Sequence, residues 1–483
     1  MMNATCSSRS EAEVTSILEE FERNTGIFNL TVEGIPLWRL LRFEISLTMQ
    51  NLGLPRPGIP TGAILSSMVS AVVQFATAPR DPTFLGATLV SALRMFDERG
   101  WHDIYFDPVI DQIEGGAKML YVDAGGFGEN QRAAFRRPVF NDTSVVALSA
   151  VLGRLFPVRD DPIFHRLSEL VVSHLDLSAF SPVRIRRKFS VLKWRVRLYR
   201  QVFMRLRPRC LLVPNSGQFA LYLAAKSLGI PFVEMQHGIF SDKHPDNLSA
   251  AALNDDPDAL MLPDLFTVYG QYWMELLKTS ALGKLDRIRA VGAPLIEKSR
   301  TLREQKFLSD ADKPVLTVTS QGIASDRLAD FVAAFLELHH APLQINIRLH
   351  PSYEAGSGHF RERFAAEPRV ILWPGNSRPD AYEMIAMSDL HLSISSACHF
   401  DALGIGTPTA IIALPSHEIV LDLFSRGDAS LVETPAALAD LVADRAWRVV
   451  SPEISNYYCQ RDHIANMRSV LDECRAIRRR SVQ

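Results

Sequence analysis

The chain has 483 residues, 47% hydrophobic and 22% charged, with a net charge of −2; that is more than the roughly 250–300 residues one core sustains, so two domains are expected. The near-neutral balance excludes a global attraction to nucleic acid and leaves any anion binding local. The five cysteines (Cys6, Cys210, Cys398, Cys459, Cys474) form no CxxC pair, which argues against a structural zinc site or a disulfide framework and fits a reducing compartment.

The N-terminal residues, with Arg9, Glu11 and Glu13, do not read as a secretory signal. Residues 11–53 carry apolar side chains at helical spacing, broken near Gly26 and Gly34-Ile35-Pro36. Gly53 to Thr61 reads as a loop. Ile64 to Thr77 is too short for a membrane span of about 20 apolar residues, and is expected as a buried or an interfacial helix. Helix is expected to continue to about Asp97, so that residues 1–100 form a helical N-terminal segment.

Strand–helix alternation then predicts a first Rossmann-like domain over 101–300. Candidate strands are Ile104–Phe106, Met119–Val122, Leu211–Val213, Phe232–Glu234, Leu265–Tyr269 and Ile288–Gly292. Phe219 to Leu228 reads as a crossover helix ended by Gly229, which makes a βαβ unit and a parallel sheet. Between Arg184 and Arg209 lie eleven Lys or Arg residues and no acidic one, with Phe189, Leu192, Val196, Tyr199 and Phe203 at helical spacing. Such a basic amphipathic helix is either a solvated face on a core-packed helix or a surface for an anionic membrane or acidic polymer.

The domain boundary is expected between Pro294 and Pro314, in a charged stretch from Glu297 to Lys313 with no strand signal. The alternation restarts in a second Rossmann-like domain over 301–483. Its strands are Val315–Thr319, Ile345–Leu349, Val370–Trp373, Leu390–Ile394 and Thr409–Ala413, with a helix from about Asp326 to His339. A final helix, about Gln460 to Arg480, is expected to cross back onto the first domain. The fold class is thus α/β.

Three constellations sit where buried strands end, which is where open α/β sheets place ligand chemistry. In Glu234-Met235-Gln236-His237-Gly238, the glycine lets the backbone bend and His237 has the intrinsic pKa range of a general base toward a sugar hydroxyl. Glu234 is the orienting or alternative acidic group. In Arg348-Leu349-His350-Pro351, strand alternation aims His350 at the sheet edge, where it donates to a phosphate oxygen with Arg348 as charge support. In Ser393-Ile394-Ser395-Ser396, hydroxyls precede a helix N-terminus, an anion site in its own right, and Asp401 one turn later accepts from ribose hydroxyls. The alternative for the serines is a plain helix cap. Ser320-Gln321-Gly322 opens the second domain and is placed to meet the donor's phosphate or sugar. Asp123-Ala124-Gly125-Gly126 holds the matching place in the first domain, where an acceptor approaches. The order of these motifs points to one catalytic cleft between two domains. HExxH, P-loop, GxSxG and His/Cys metal clusters are missing from the sequence, which disfavours zinc hydrolases, kinases and lipases; no metal ligand is assigned.

The strings Gly229-Ile230-Pro231-Phe232-Val233-Glu234-Met235-Gln236-His237-Gly238-Ile239, Leu262-Pro263-Asp264, Tyr269-Gly270-Gln271-Tyr272-Trp273 and Val291-Gly292-Ala293-Pro294 resemble those of bacterial surface-polysaccharide glycosyltransferases of GT-B architecture. The RxHP and double-serine elements are similar to those of capsule polysialyltransferases, Kdo transferases and teichoic-acid glycerophosphate polymerases. The resemblance spans roughly residues 100–430. It implies two facing Rossmann-like domains, a cytidine nucleotide donor held by His350, Ser395 and Ser396, and His237 near the transfer centre. Two positions depart from the family pattern: Asp255-Asp256 is followed by Pro257 where an acidic-acidic-glycine base motif would stand, and the ribose-binding glutamate is replaced by Asp401.

The function expected is metal-independent transfer of a sugar from a nucleotide-activated donor to a growing capsule or lipopolysaccharide glycan or a lipid-linked acceptor. The nucleotide sugar is a co-substrate and no cofactor is assigned. The remaining partners expected are peripheral contact with an anionic membrane, at the inner face of the cell membrane, and no nucleic acid; the oligomeric state stays open. A nucleotide-sugar 2-epimerase and a non-catalytic glycan-binding subunit of a polysaccharide assembly complex are the alternatives.

Overall fold

In the computed structural model, the residues described are 9–51, 73–74, 76–89, 92–121, 133–214, 217–240, 244, 246–254, 260–306, 313–322, 324–350, 358–375 and 377–482. The chain divides into two compact units. The first comprises Met1–Val268, Met274–Arg289 and Met467–Gln483, and the second Tyr269–Trp273 and Ala290–Asn466. The last residues of the C-terminal helix His463–Val482 therefore belong to the first unit.

The first unit opens with helix Glu11–Thr25. Ser10 and Glu13 form a reciprocal capping box at its start, and Gly26 ends it in the left-handed conformation. A small antiparallel pair, β1 (Thr31–Val32) and β2 (Ile35–Pro36), turns the chain into helix Leu37–Met49. Glu22 and Arg42, both buried, join these helices at 2.5 Å, and Trp38 Nε1 donates to the same carboxylate at 2.7 Å.

The main sheet of this unit has seven strands: β3 (Phe84–Leu89), β6 (Gly116–Tyr121), β7 (Phe140–Asn141), β8 (Leu211–Val213), β9 (Phe232–Met235), β10 (Leu265–Val268) and β11 (Ile288–Ala290). Their spatial order is β11-β10-β9-β8-β3-β6-β7, and the pairings from β10 through β7 are parallel. The chain builds outward from β3 to β6 and β7, then returns to its other side with β8, so strand order reverses between β3 and β8.

Two sequence expectations fail here. The helix expected up to Asp97 is instead β3 and an antiparallel hairpin of β4 (Leu93–Asp97) and β5 (Gly100–Asp103). All six β3 residues are buried, and a short run buried on both faces shows no strand alternation to distinguish it from helix. Residues Ile104–Phe106, expected as a strand, form a turn into the short helix Asp107–Ile110, because the Asp103 carboxylate accepts the backbone N–H groups of Tyr105 and Phe106.

Helices Thr143–Leu155 and Pro182–Leu206 pack closely on the same unit. Gly153 makes the approach possible: a Cβ there would lie 2.8 Å from Val191 Cγ2 and 2.9 Å from its backbone N. The basic helix starts at Ser181, whose hydroxyl accepts from Arg184 N–H, with Pro182 in its first turn. It buries Ile185, Phe189, Tyr199, Val202 and Phe203, and Tyr199 donates to Asp142 at 2.6 Å.

The second unit carries six strands in the order β14-β13-β12-β15-β16-β17: β12 (Val315–Thr319), β13 (Gln344–Arg348), β14 (Val370–Trp373), β15 (Leu390–Ser393), β16 (Thr409–Ile412) and β17 (Ser430–Val432). Every pairing is parallel. The sheet's core includes Leu316, Val318, Ile345, Ile347, Leu390 and Leu392, packed with Phe335 and Leu336 of helix Ser325–Leu338. Strand order reverses between β12 and β15. The α/β class with two parallel sheets is thus as expected. The stretch expected as a linker is largely helix, Pro294–Lys306. Its charge conceals a structural use: buried Arg300 donates to Gly404 O and Ser455 O at 2.6 and 2.9 Å, and buried Arg303 donates to Ser388 O.

Among the described residues, no helix is long and apolar enough to cross a membrane. The Ile64–Thr77 segment and the Gly53–Thr61 loop lie largely or wholly outside the described residues.

Candidate functional site

On the second unit, the C-terminal ends of β12, β13 and β15 are flush: Thr319 pairs with Arg348, and Val318 with Leu392. The turns that follow carry the motifs singled out in the sequence. Gln321 Oε1 accepts from Ser395 N–H at 3.0 Å and from Ser395 Oγ at 3.3 Å. Ser320 N–H donates to Arg348 O at 3.0 Å, and Ser393 Oγ donates to Thr319 O at 2.7 Å. Ser320, Gln321, Ser395 and Ser396 therefore meet at the crevice where strand order reverses, the position at which open α/β sheets bind ligands.

Beneath this edge runs a buried chain of polar groups. His391 Nε2 lies 2.9 Å from Thr319 Oγ1, and its Nδ1 lies 2.8 Å from Thr409 Oγ1, which also meets His399 Nδ1 at 2.6 Å. Burial pushes both imidazoles down, His399 to about 4, so both are neutral near pH 7. This chain ties β12, β15 and β16 together and fixes the turns above.

Ser396 Oγ accepts at 3.2 Å from the N–H of Cys398, the first residue of helix Cys398–Ile405. Arg348 is buried, and its guanidinium donates to Ser377 O, Pro379 O and Gly375 O at 3.0, 2.8 and 2.6 Å. It braces the loop after β14 and leaves its positive charge behind the sheet edge. His350, half-buried, ends the described part of that strand's loop. Asp401 lies in the first turn of the helix, and burial pushes its carboxyl up to about 7. Near neutrality it is partly protonated and can donate as well as accept. Hydroxyls, an amide, a helix N-terminus and a guanidinium behind them together offer donors and positive potential to an anionic group.

On the first unit, the turns after β8 and β9 open onto a cavity of about 740 Å³. One wall is the basic helix, through Arg184, Arg187, Lys188 and Arg195, with Val191 and Leu192 between them. Leu40, Phe43 and Glu44 of helix Leu37–Met49 form another. Gln218 and Phe219 follow β8, and His237, His244 and Asp246 follow β9.

His237 is exposed, while its backbone is held: Tyr105 OH donates to His237 O at 3.3 Å, and Gln236 Nε2 donates to Gly238 O at 2.9 Å. Desolvation on its cavity side pushes its pKa below the ordinary histidine value, with His244 and Arg94 adding repulsion. The ring is thus neutral near pH 7 and able to accept a proton. Among the described residues of the cavity wall His237 is present and Glu234 is not; Glu234 acts on the buried Arg39 guanidinium. Asp123 lies outside the described residues.

Sequence reading missed His244 and Asp246. His244 stacks between Phe240 and Phe43, at 4.5 and 6.3 Å, and Asp246 N–H donates to its Nδ1 at 3.2 Å. Only the short His-Pro-Asp spacing after the His237 turn marks them in sequence. The cations of the basic run are put to different uses. Arg184, Arg187, Lys188 and Arg195 line the cavity, whereas Arg186 caps Val158 O, Arg205 caps Ala76 O and Arg207 pairs with Asp81. Among the described residues, no group of three or more His, Cys, Asp or Glu is placed to hold a metal ion.

No protein-family model and no curated protein matches the chain. Among solved structures, the chain is similar to UDP-GlcNAc 2-epimerase from Neisseria meningitidis bound to UDP-GlcNAc, at 14% identity over 81% of this chain and 99% of that one, with a TM-score of 0.45. It is similar to MurG from Acinetobacter baumannii, at 13% identity over 82% and 100%, with a TM-score of 0.43. It is also similar to the wall teichoic acid polymerase TagF, at 10% identity over 88% and 98%, with a TM-score of 0.44.

Proposed function

We propose that the chain is a metal-independent glycosyltransferase of the GT-B type, which moves a sugar from a nucleotide-activated donor to a surface glycan or lipid-linked acceptor. The observation that carries this reading is the meeting of Ser320-Gln321 with Ser395-Ser396 where strand order reverses in the second unit. In this reading His350, Ser395 and Ser396 bind the donor's phosphates, Gln321 positions Ser395, Arg348 holds the neighbouring loop and supplies charge from behind, and Asp401 meets the ribose.

His237 is the base. It takes the proton of the acceptor hydroxyl as that oxygen bonds to the anomeric carbon. The bond from the anomeric carbon to the donor phosphate oxygen breaks, and its electron pair leaves on the phosphate. Fixed hydrogen-bond donors around the departing phosphate stabilise that charge. The nucleotide sugar is a co-substrate, and the protein contributes no further cofactor.

Peripheral contact with an anionic membrane belongs to the same reading. Val151, Leu155 and Phe156 are 52%, 65% and 60% exposed, and Phe156 packs on Trp194, which Arg197 covers at 4.7 Å. An apolar strip bordered by Arg154 and Arg197 suits an anionic lipid surface at the cytoplasmic face.

The test is incubation with cytidine-, uridine- and guanosine-linked sugars, with and without a surface-glycan acceptor. Acceptor-dependent release of nucleotide supports transfer. Conversion of a donor sugar without acceptor would make the protein an epimerase, and glycan binding with no turnover of any donor would make it a binding subunit.

A further inference from the structure

We propose that the first unit's cavity binds an acidic sugar, one whose carboxylate or phosphate is held by Arg187 and Arg195, so that the acceptor of the proposed transfer is an anionic glycan. Residues 184, 187, 188 and 195 fall within about 100° of one helix face at 3.6 residues per turn, and all four cationic side chains line the cavity.

Their charges are not equally engaged. Glu44 bridges Arg184 at 2.5 Å and Lys188 at 2.6 Å. Burial works against the Glu44 charge, but the two cations outweigh it and hold its carboxyl below the usual range. Arg184 and Lys188 are thus neutralised in part from within. Arg195 is steadied by Ser149 Oγ at 3.3 Å and has no acidic partner among the described residues. Arg187 is exposed on the cavity side and likewise has no acidic partner among them. The other acid of the wall among the described residues, Asp246, lies beside His244 and the buried Arg39. Two guanidinium groups therefore stand over the cavity without a counter-charge among the described residues, and guanidinium forks match carboxylate and phosphate oxygens.

The rest of the wall specifies what carries the anion. Leu40, Phe43, Val191 and Leu192 give apolar surface beside the cations, suited to the C–H face of a sugar ring and of no use to a bare ion. The volume of about 740 Å³ falls within the roughly 300–1,000 Å³ of small-molecule sites, enough for a short oligosaccharide. His237 shares the cavity, so a sugar anchored by its acid at Arg187 and Arg195 has its hydroxyls in the same enclosure as the base. The name acceptor rests on the transfer reading; binding of an acidic sugar does not.

The test is calorimetric titration of the full chain with trigalacturonate, glucose 6-phosphate and maltotriose, in wild type, in Arg187→Gln/Arg195→Gln and in Arg200→Gln, an exposed position of the same helix outside the cavity wall, as a surface control. At least one acidic probe is expected to bind and maltotriose not. The double variant should weaken that binding by about tenfold or more, Arg200→Gln should leave it unchanged, and 0.5 M salt should reduce it. The choice of uronate or phosphate sugar identifies the anion. Absence of binding by both acidic probes, equal binding of maltotriose, or unchanged affinity in the double variant would overturn the proposal. So would a double variant that loses only adhesion to phosphatidylglycerol vesicles, since the cluster would then face a membrane. Nucleotide titration of the same proteins keeps the two readings apart: if acidic sugars bind and no nucleotide does, the transferase reading fails alone.

Discussion

Gln321 and Ser395, 74 residues apart, are joined by two hydrogen bonds to one amide oxygen, at 3.0 and 3.3 Å. The link crosses from the turn after β12 to the turn after β15, the two strands between which the sheet reverses its order. It makes one preformed edge out of two motifs that look independent in the sequence. The buried series Thr319, His391, Thr409 and His399 supports that edge from below.

His237→Ala is expected to lower turnover by about 10²–10⁴-fold, the usual contribution of a general base, and to leave donor affinity unchanged. Desolvation and the neighbouring His244 and Arg94 push its pKa down, so the acid limb of kcat/KM should fall below the position of an ordinary histidine. A limb at the ordinary histidine position would show a ring untouched by those neighbours, and full turnover in the variant would move the base to Glu234 or Asp123.

Asp401→Asn reports on the raised carboxyl. Its folded pKa of about 7 lies above the ordinary 3.8 because of burial. The folded state then binds more protons than the unfolded state between those values. The stability this contributes is fully present below pH 3.8 and is lost as pH rises through 7. The variant should gain thermal stability over wild type at pH 8 and gain less at pH 5. Equal differences at both pH values would show the carboxyl to be ionised throughout.

Glu22→Ala leaves the Arg42 guanidinium, 1% exposed, without its counter-charge. Removal of one partner of a buried pair costs about 3–5 kcal/mol. A urea titration should show a lower midpoint for Glu22→Ala, with Glu22→Leu/Arg42→Met recovering much of the loss. A midpoint unchanged in Glu22→Ala would mean that water reaches Arg42.

Leu155→Ser/Phe156→Ser should reduce sedimentation with phosphatidylglycerol vesicles while leaving nucleotide affinity as it is, because the strip they form is exposed on the first unit. Wild-type protein that ignores lipid charge and salt would contradict the membrane contact.

The strands of both sheets were legible wherever apolar runs ended in a turn residue, as at Phe232–Met235 before His237 and Leu390–Ser393 before the serines. β3 was not, because Phe84–Leu89 is buried on both faces and carries no alternation. Helix Pro294–Lys306 read as linker because Arg300 and Arg303 look like solvent residues until their carbonyl partners, 83 to 159 positions away, come into view. The site motifs were legible as turns after strands. The pairing of Gln321 with Ser395 and the cavity shared by His237 and the basic helix were not, since both depend on strand order and on contacts between segments far apart in the chain.

Calorimetric titration of cytidine, uridine and guanosine nucleotides into wild type, His350→Ala and Ser396→Ala decides whether the second unit's sheet edge holds a nucleotide donor. One nucleotide family should bind wild type, and a hundredfold excess over its Kd should stabilise the fold by about 2.7 kcal/mol. Each variant should lose about 1.5–3 kcal/mol of that affinity, the range for hydrogen bonds to charged groups, without unfolding. Binding of no nucleotide by wild type, or equal affinity in all three proteins, would contradict the account.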